Sequence, residues 1–188
     1  MTFRVAVLAS GTGSNLQALI DKVHGREGIE IVAVASNKPD APALGRAQEF
    51  DIETGVFRTD DYPDRVSRDD ALADWLDARE AHLVVLAGFM EILSSAFIQR
   101  FRNRIVNVHP SLLPAFPGVR AIEQALDYGV QVTGVTVHFV DEGVDSGEVI
   151  ASVPVPVLEG DTVETLRERV HEAEHRLLPK VVRELCAR

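Results

Sequence analysis

The chain has 188 residues, 46% of them hydrophobic and 26% charged, with a formal net charge of −10. That size suits one domain with a self-sufficient core, and the acidic balance opposes binding to nucleic acid or an acidic membrane surface, which needs clustered Lys and Arg. The single cysteine, Cys186, excludes an intrachain disulfide and a cysteine-based metal site.

The chain opens on "RVAVLAS" (4–10), a short apolar run that reads as a buried strand, and "SNLQALIDKVH" (14–24) comes next as a helix. "IEIVAVAS" (29–36) is a second strand, "APALGRAQEF" (41–50) a second helix and "IETGVF" (52–57) a weak third strand. Val66, Leu72, Trp75 and Leu76 recur at helical spacing across 63–80. "HLVVLAG" (82–88) and "RIVNVH" (104–109) are the fourth and fifth strands. Near-continuous apolar strands alternating with amphipathic helices predict a mostly parallel α/β sheet, Rossmann-like, with helices on both faces. After residue 130 the rhythm changes. "VTGVTVHFV" (132–140) and "EVIASVPVPVL" (148–158) alternate and are joined by a glycine-containing turn, which predicts an antiparallel hairpin. A last helix runs from about Thr162, with Asp161 as its expected cap and Glu164 closing a capping box. No linker or repeat interrupts this order, so 1–188 reads as one domain. The apolar run "LVVLAGFM" (83–90) is far shorter than the ~20 residues a bilayer requires. "VAVLAS" is too short for a secretory signal, and a cytoplasmic location is expected.

Three loops carry chemistry-bearing residues. "ASGTGSNLQ" (9–17) joins the first strand to the first helix. Gly11 and Gly13 let backbone approach a ligand, and Ser14 and Asn15 lie at a helix N-terminus, which attracts anions. Leu16 stands where a dinucleotide fingerprint needs a third glycine, so the loop suits one phosphate better than a pyrophosphate; the plainer reading is a tight turn with a serine cap. "NVHPSLLPAFPG" (107–118) puts Asn107 and His109 two apart at a strand's carboxyl end, so both leave the same side. An amide and an imidazole there can stabilise an oxyanion or move a proton, and Pro110, Pro114 and Pro117 stiffen the loop beyond them. "DEGVDSGEV" (141–149) is either a solvated turn or the source of a carboxylate that orients His109. "HEAEH" (171–175) matches a zinc-peptidase pattern, with His171 and His175 as ligands and Glu172 as base; such a pattern arises easily by chance in a Glu-rich helix.

The stretches "SGTGSNLQALID", "SNK", "VVLAGFMEIL", "NVHPSLLPAFPG", "GVTVHFVDEGVDSGEVI" and "EAEH", in that order, resemble the phosphoribosylglycinamide formyltransferases over nearly the whole chain. The resemblance implies transfer of a formyl group from 10-formyltetrahydrofolate, as co-substrate, to the amine of glycinamide ribonucleotide in purine biosynthesis, without a metal. It implies a ribonucleotide-binding half at about 1–100 and a folate and catalytic half at about 101–188. Asn107, His109 and Asp145 match the family's catalytic trio. Gly13, Ser14, Asn15, Pro110 and Glu174 match ribonucleotide-binding positions. Arg65, Met90, Glu91, Ile92 and Leu93 match folate-binding segments, joined by Asn107 and by Asp141 and Val144 of the turn that closes over the pterin. Glu91 and Ala115 depart from the basic residues of the pattern. The implied partners are small molecules, neither nucleic acid nor membrane, and the implied state is a monomer or homodimer. Hydrolysis of the same formyl-folate is the alternative the resemblance leaves.

Overall fold

The computed structural model describes residues 2–187. Among these residues are seven strands and six α-helices: β1 (Phe3–Leu8), α1 (Ser14–Lys22), β2 (Ile29–Ser36), α2 (Pro42–Glu49), β3 (Glu53–Val56), α3 (Arg65–Asp77), β4 (Leu83–Leu86), α4 (Ser95–Arg100), β5 (Ile105–His109), α5 (Ala121–Tyr128), β6 (Val132–Phe139), β7 (Val149–Pro156) and α6 (Val163–Cys186). The strands are hydrogen-bonded in the order β3-β2-β1-β4-β5-β6-β7. Two compact units are distinguished, with the boundary between Val106 and Asn107, inside β5.

In the first unit β1 pairs in parallel with both β2 and β4, and β2 with β3. β1 and β4 need apolar residues on both faces, and Val5 to Leu8 and Val84 to Val85 are accordingly sealed from solvent. The chain winds from β1 outward to β3, then returns to the other side of β1 as β4. At such a reversal α/β sheets hold ligands, outside the carboxyl ends of the two strands, here β1 and β4. Two backbone bonds tie those ends together: Ala87 N donates to Leu8 O and Ser10 N to Gly88 O.

In the second unit β6 and β7 pair antiparallel, with Val132 opposite Pro156 and a register shift between Val137 and His138. Pro154 and Pro156 are tolerated because β7 is an edge strand. α6 lies against β6 and β7, presenting Leu166, Val170, Ala173, Leu177, Leu178, Val181 and Val182 as a buried stripe at helical spacing.

Three details differ from the sequence reading. α4 and α5 fall where no helix was expected. The cap of α6 is Thr162, not Asp161, and Thr165, not Glu164, completes the capping box. Asp161 instead accepts from Leu158 N and from both terminal nitrogens of Arg169, which hold its carboxyl well below the usual carboxylate range. The first helix also has no serine cap. Its N-cap is Gly13, in the left-handed region at φ 76°, with no side-chain cap.

Candidate active site

In the first unit, Gly11 and Gly13 do different things. A Cβ on Gly11 would meet open space, whereas one on Gly13 would lie 2.7 Å from Ala43 Cα and 2.8 Å from Ala43 Cβ. Gly13 is thus required for the close approach of α2 and for a positive φ, and Gly11 is the position that leaves room in front of the loop. Ser14 and Asn15 form the first turn of α1. Arg46, which the sequence reading passed over, runs alongside: its Nε donates to Thr12 O at 2.7 Å and its Nη1 to Gln17 Oε1 at 3.2 Å. A cation thus flanks a helix N-terminus, an arrangement that favours an anion.

The loop after β4 carries Met90, Glu91, Ile92 and Leu93. Met90 and Ile92 are 68% and 64% exposed, while Leu93 is buried and has only backbone to offer a ligand. Glu91 turns to Asn37, whose Nδ2 donates to Glu91 Oε1 at 2.9 Å. Arg65 is exposed at the first position of α3, behind the Asp64 cap that accepts from Ser67 N.

In the second unit Asn107, His109 and Asp145 come together. Asp145 Oδ2 is 3.3 Å from His109 Nδ1 and accepts from Gly118 N at 2.7 Å. Its Oδ1 lies 3.5 Å from both Asn107 Nδ2 and His138 Nε2. His109 Nε2 donates to Phe116 O at 2.8 Å. Both ring nitrogens of this buried histidine therefore face acceptors, a carboxylate on one side and a backbone carbonyl on the other. Burial acts to raise the Asp145 carboxyl, but the His138 hydrogen bond, the Gly118 amide and the charges of His109 and His138 outweigh it and hold the group below the ordinary carboxylate range.

His138 is the residue the sequence reading missed. Its Nδ1 donates to Phe139 O at 2.8 Å, and its Nε2 lies 3.2 Å from Asn107 Nδ2 and 3.5 Å from Asp145 Oδ1. The register shift beside it skips Ile150 of β7, an irregularity of the kind that re-aims side chains. Thr136, two residues earlier on the same face, donates to Ser111 O at 2.7 Å and accepts from Leu113 N at 3.1 Å. The loop after β5 is thereby fastened to β6, and its Leu113–Pro114 peptide is cis. The one available signal was the Thr136–His138 alternation, ending just before the acidic turn.

That turn places its other predicted residues differently. Asp141 Oδ1 accepts from Gly143 N and Ser146 Oγ, so its side chain shapes the turn itself. Val144 is 60% exposed beside Asp145. Pro110 is half-buried after His109, and Glu174 is buried on α6 with Oε2 4.0 Å from His171 Nε2. Burial, then the Arg167 charge, lowers the His171 pKa. His171 and His175 stack at 6.2 Å, and no group of three or more metal-binding side chains occurs among the described residues, which leaves the zinc-peptidase pattern without support.

An open, mostly parallel α/β sheet, with an amide, two imidazoles and a carboxylate gathered where its fifth and sixth strands end, defines a Rossmann-like protein. The chain belongs to the formyl transferase family, whose model matches residues 3–182. It is 47% identical over 183 residues to the phosphoribosylglycinamide formyltransferase of Mycobacterium tuberculosis, covering 97% of this chain and 85% of that one. It is 49% identical over 180 residues to the bovine trifunctional purine biosynthetic protein adenosine-3, covering 95% of this chain and 18% of that one. The first curated relatives are long proteins of that trifunctional kind, and the chain spans only 13% to 18% of their length. The crystal structure of glycinamide ribonucleotide transformylase 1 from Symbiobacterium toebii superposes with a TM-score of 0.96 at 46% identity, covering 99% of this chain and 88% of that one. No helix among the described residues is long and apolar enough to cross a membrane.

Proposed function

We propose that this chain transfers the formyl group of 10-formyltetrahydrofolate to the primary amine of glycinamide ribonucleotide, a step of purine biosynthesis, in the cytoplasm. The observation that carries the reading is the convergence of Asn107 and His109 on Asp145, at 3.5 and 3.3 Å. Asn107 and His109 donate to the formyl oxygen as it becomes negative. His109 Nε2–H exchanges its bond to Phe116 O for that oxygen. One such donor is worth roughly 3–4 kcal/mol of transition-state stabilisation. Asp145 keeps the imidazole charged and, through water, takes the proton released by the attacking amine and returns it to the folate nitrogen. A C–N bond forms at the formyl carbon as the C–N bond to the folate breaks, so atoms and charge balance.

The remaining roles divide along the chain. The N-terminal half holds the ribonucleotide phosphate on the loop containing Gly13, Ser14 and Asn15, with Arg46 as flanking charge; Pro110 and Glu174 contact the same substrate. Met90, Glu91, Ile92 and Leu93, with Arg65, Asp141 and Val144, hold the folate. Formyl transfer followed by the absorbance of the folate product tests both substrates together. The expected result is a signal that requires the ribonucleotide. An equal signal without it would mean that water is the acceptor and would overturn the proposal.

A further inference from the structure

The loop that carries Met90–Leu93 is tied down by side chains from two other strand ends. Ser10, after β1, donates from Oγ to Asn37 Oδ1 at 2.6 Å and accepts from Met90 N at 2.8 Å. Asn37, after β2, donates from Nδ2 to Glu91 Oε1 at 2.9 Å. The backbone link from Glu91 to Met90 closes a ring, Ser10–Asn37–Glu91–Met90. Ser10 is buried and Glu91 half-buried, so these bonds are partly shielded from competing water. The other end of the loop is anchored independently: Ser94 N donates to Asp69 Oδ2 at 2.5 Å, and Asp69 is fully buried and paired with Arg68. Between the two anchors stand the exposed Met90 and Ile92 and the backbone of Glu91.

We propose that Ser10 and Asn37 are positioning residues that act through Glu91 and the Met90 amide to hold the 90–93 segment in its ligand-ready shape, and that the ligand it serves is the heteroaromatic ring system of the formyl donor. The identity of the ligand rests on the function proposed above; the ring does not. Glu91 is an acceptor in this ring. A basic side chain at the same position could not accept from Asn37 Nδ2, so the ring depends on the residue by which this chain departs from the pattern of its resemblance. The acid is therefore used inward, as a strut, and its conformational freedom is spent before ligand arrives. Preorganisation of this kind shows in binding of one substrate and not in the chemical step.

The test uses Asn37→Ala, which deletes both bonds, and Asn37→Asp, which keeps an acceptor for Ser10 but opposes one carboxylate to another. Each variant should raise KM for 10-formyltetrahydrofolate about tenfold, the loss of roughly one well-made hydrogen bond. The ribonucleotide KM and kcat should move less than about twofold. The double variant Asn37→Asp/Glu91→Gln restores a donor–acceptor pair with its direction reversed and should bring the folate KM back to within about threefold. Hydrogen exchange of the Met90 amide, followed without substrates, should quicken in both single variants and slow again in the double one. Unchanged Met90 exchange in the single variants, or a folate KM that the double variant does not recover, would overturn the inference. Absence of formyl transfer by the wild type, with Met90 exchange behaving as expected, would instead leave the ring standing and remove its proposed ligand.

Discussion

The loop after β1 and the turn after β6 are both rich in glycine, yet they are built on opposite principles. In the first, Gly13 yields space to α2 and Gly11 leaves space in front, and the first turn of a helix faces outward. What this loop offers a ligand is backbone, and side chains matter there chiefly by their absence. In the second, Gly143 and Gly147 are crowded by Ser146 and Phe139, and the result is the aim of one carboxylate. Asp145 sits at φ 51°, in the left-handed region that side chains disfavour, and Phe116, whose carbonyl meets His109, sits at φ 50°. Such conformations persist only where surrounding contacts over-determine them. A backbone site is robust to chemistry but not to volume; a side-chain site is sensitive to both.

The largest effect should come from chemistry without volume. Asp145→Asn keeps the shape of the turn but removes the anion between His109 and His138, and kcat should fall by about 10²–10⁴ while equilibrium binding of the ribonucleotide stays intact. Near-normal turnover would break the contrast. Next comes volume without chemistry. Gly147→Ala places a Cβ 1.7 Å from Phe139 O, and urea denaturation should show a loss of about 3 kcal/mol or more. Gly13→Ala meets both a positive φ and the α2 backbone, which predicts a loss of about 1–3 kcal/mol together with a higher ribonucleotide KM. Gly11→Ala is its control: stability within about 0.5 kcal/mol of wild type, with the ribonucleotide KM raised and the folate KM not. Equal destabilisation by the two alanines would erase the distinction drawn between the glycines.

The smallest effect lies outside both loops. Asp161 has a folded pKa below its unfolded value because Arg169 and the Leu158 amide favour the anion. Its contribution to stability is complete above the unfolded carboxylate value of ~3.9 and is lost as pH falls through the lower folded value. Asp161→Asn should therefore cost stability at pH 7 and progressively less toward pH 2, as read from urea midpoints.

Legibility followed the range of the forces involved. The strands and the longer helices could be read because burial on one or both faces writes a period of two, a run, or a 3.6-residue stripe into consecutive positions. α4 has only six residues, too few to show a period, and α5 begins after Arg120 in the left-handed region with no side-chain cap to announce it. Of the site, Asn107 and His109 were legible from their spacing at a strand end, and the acidic turn was legible as a source of a carboxylate. That Asp145 was the acid came from resemblance, since Asp141, Glu142, Asp145 and Glu148 stand equally well in the sequence.

The amino-acid sequence by itself determined the order of the strands and of four of the six helices, the antiparallel hairpin and the polar residues at strand ends, because each depends on neighbours within a few positions. Only the tertiary structure decided that His138 joins Asn107 and Asp145, that Gly13 makes way for Ala43, and that Glu91 answers Asn37. Those partners lie 7 to 54 positions apart along the chain, and contacts at such separations are selected by packing and hydrogen-bond geometry that leave no local pattern to read.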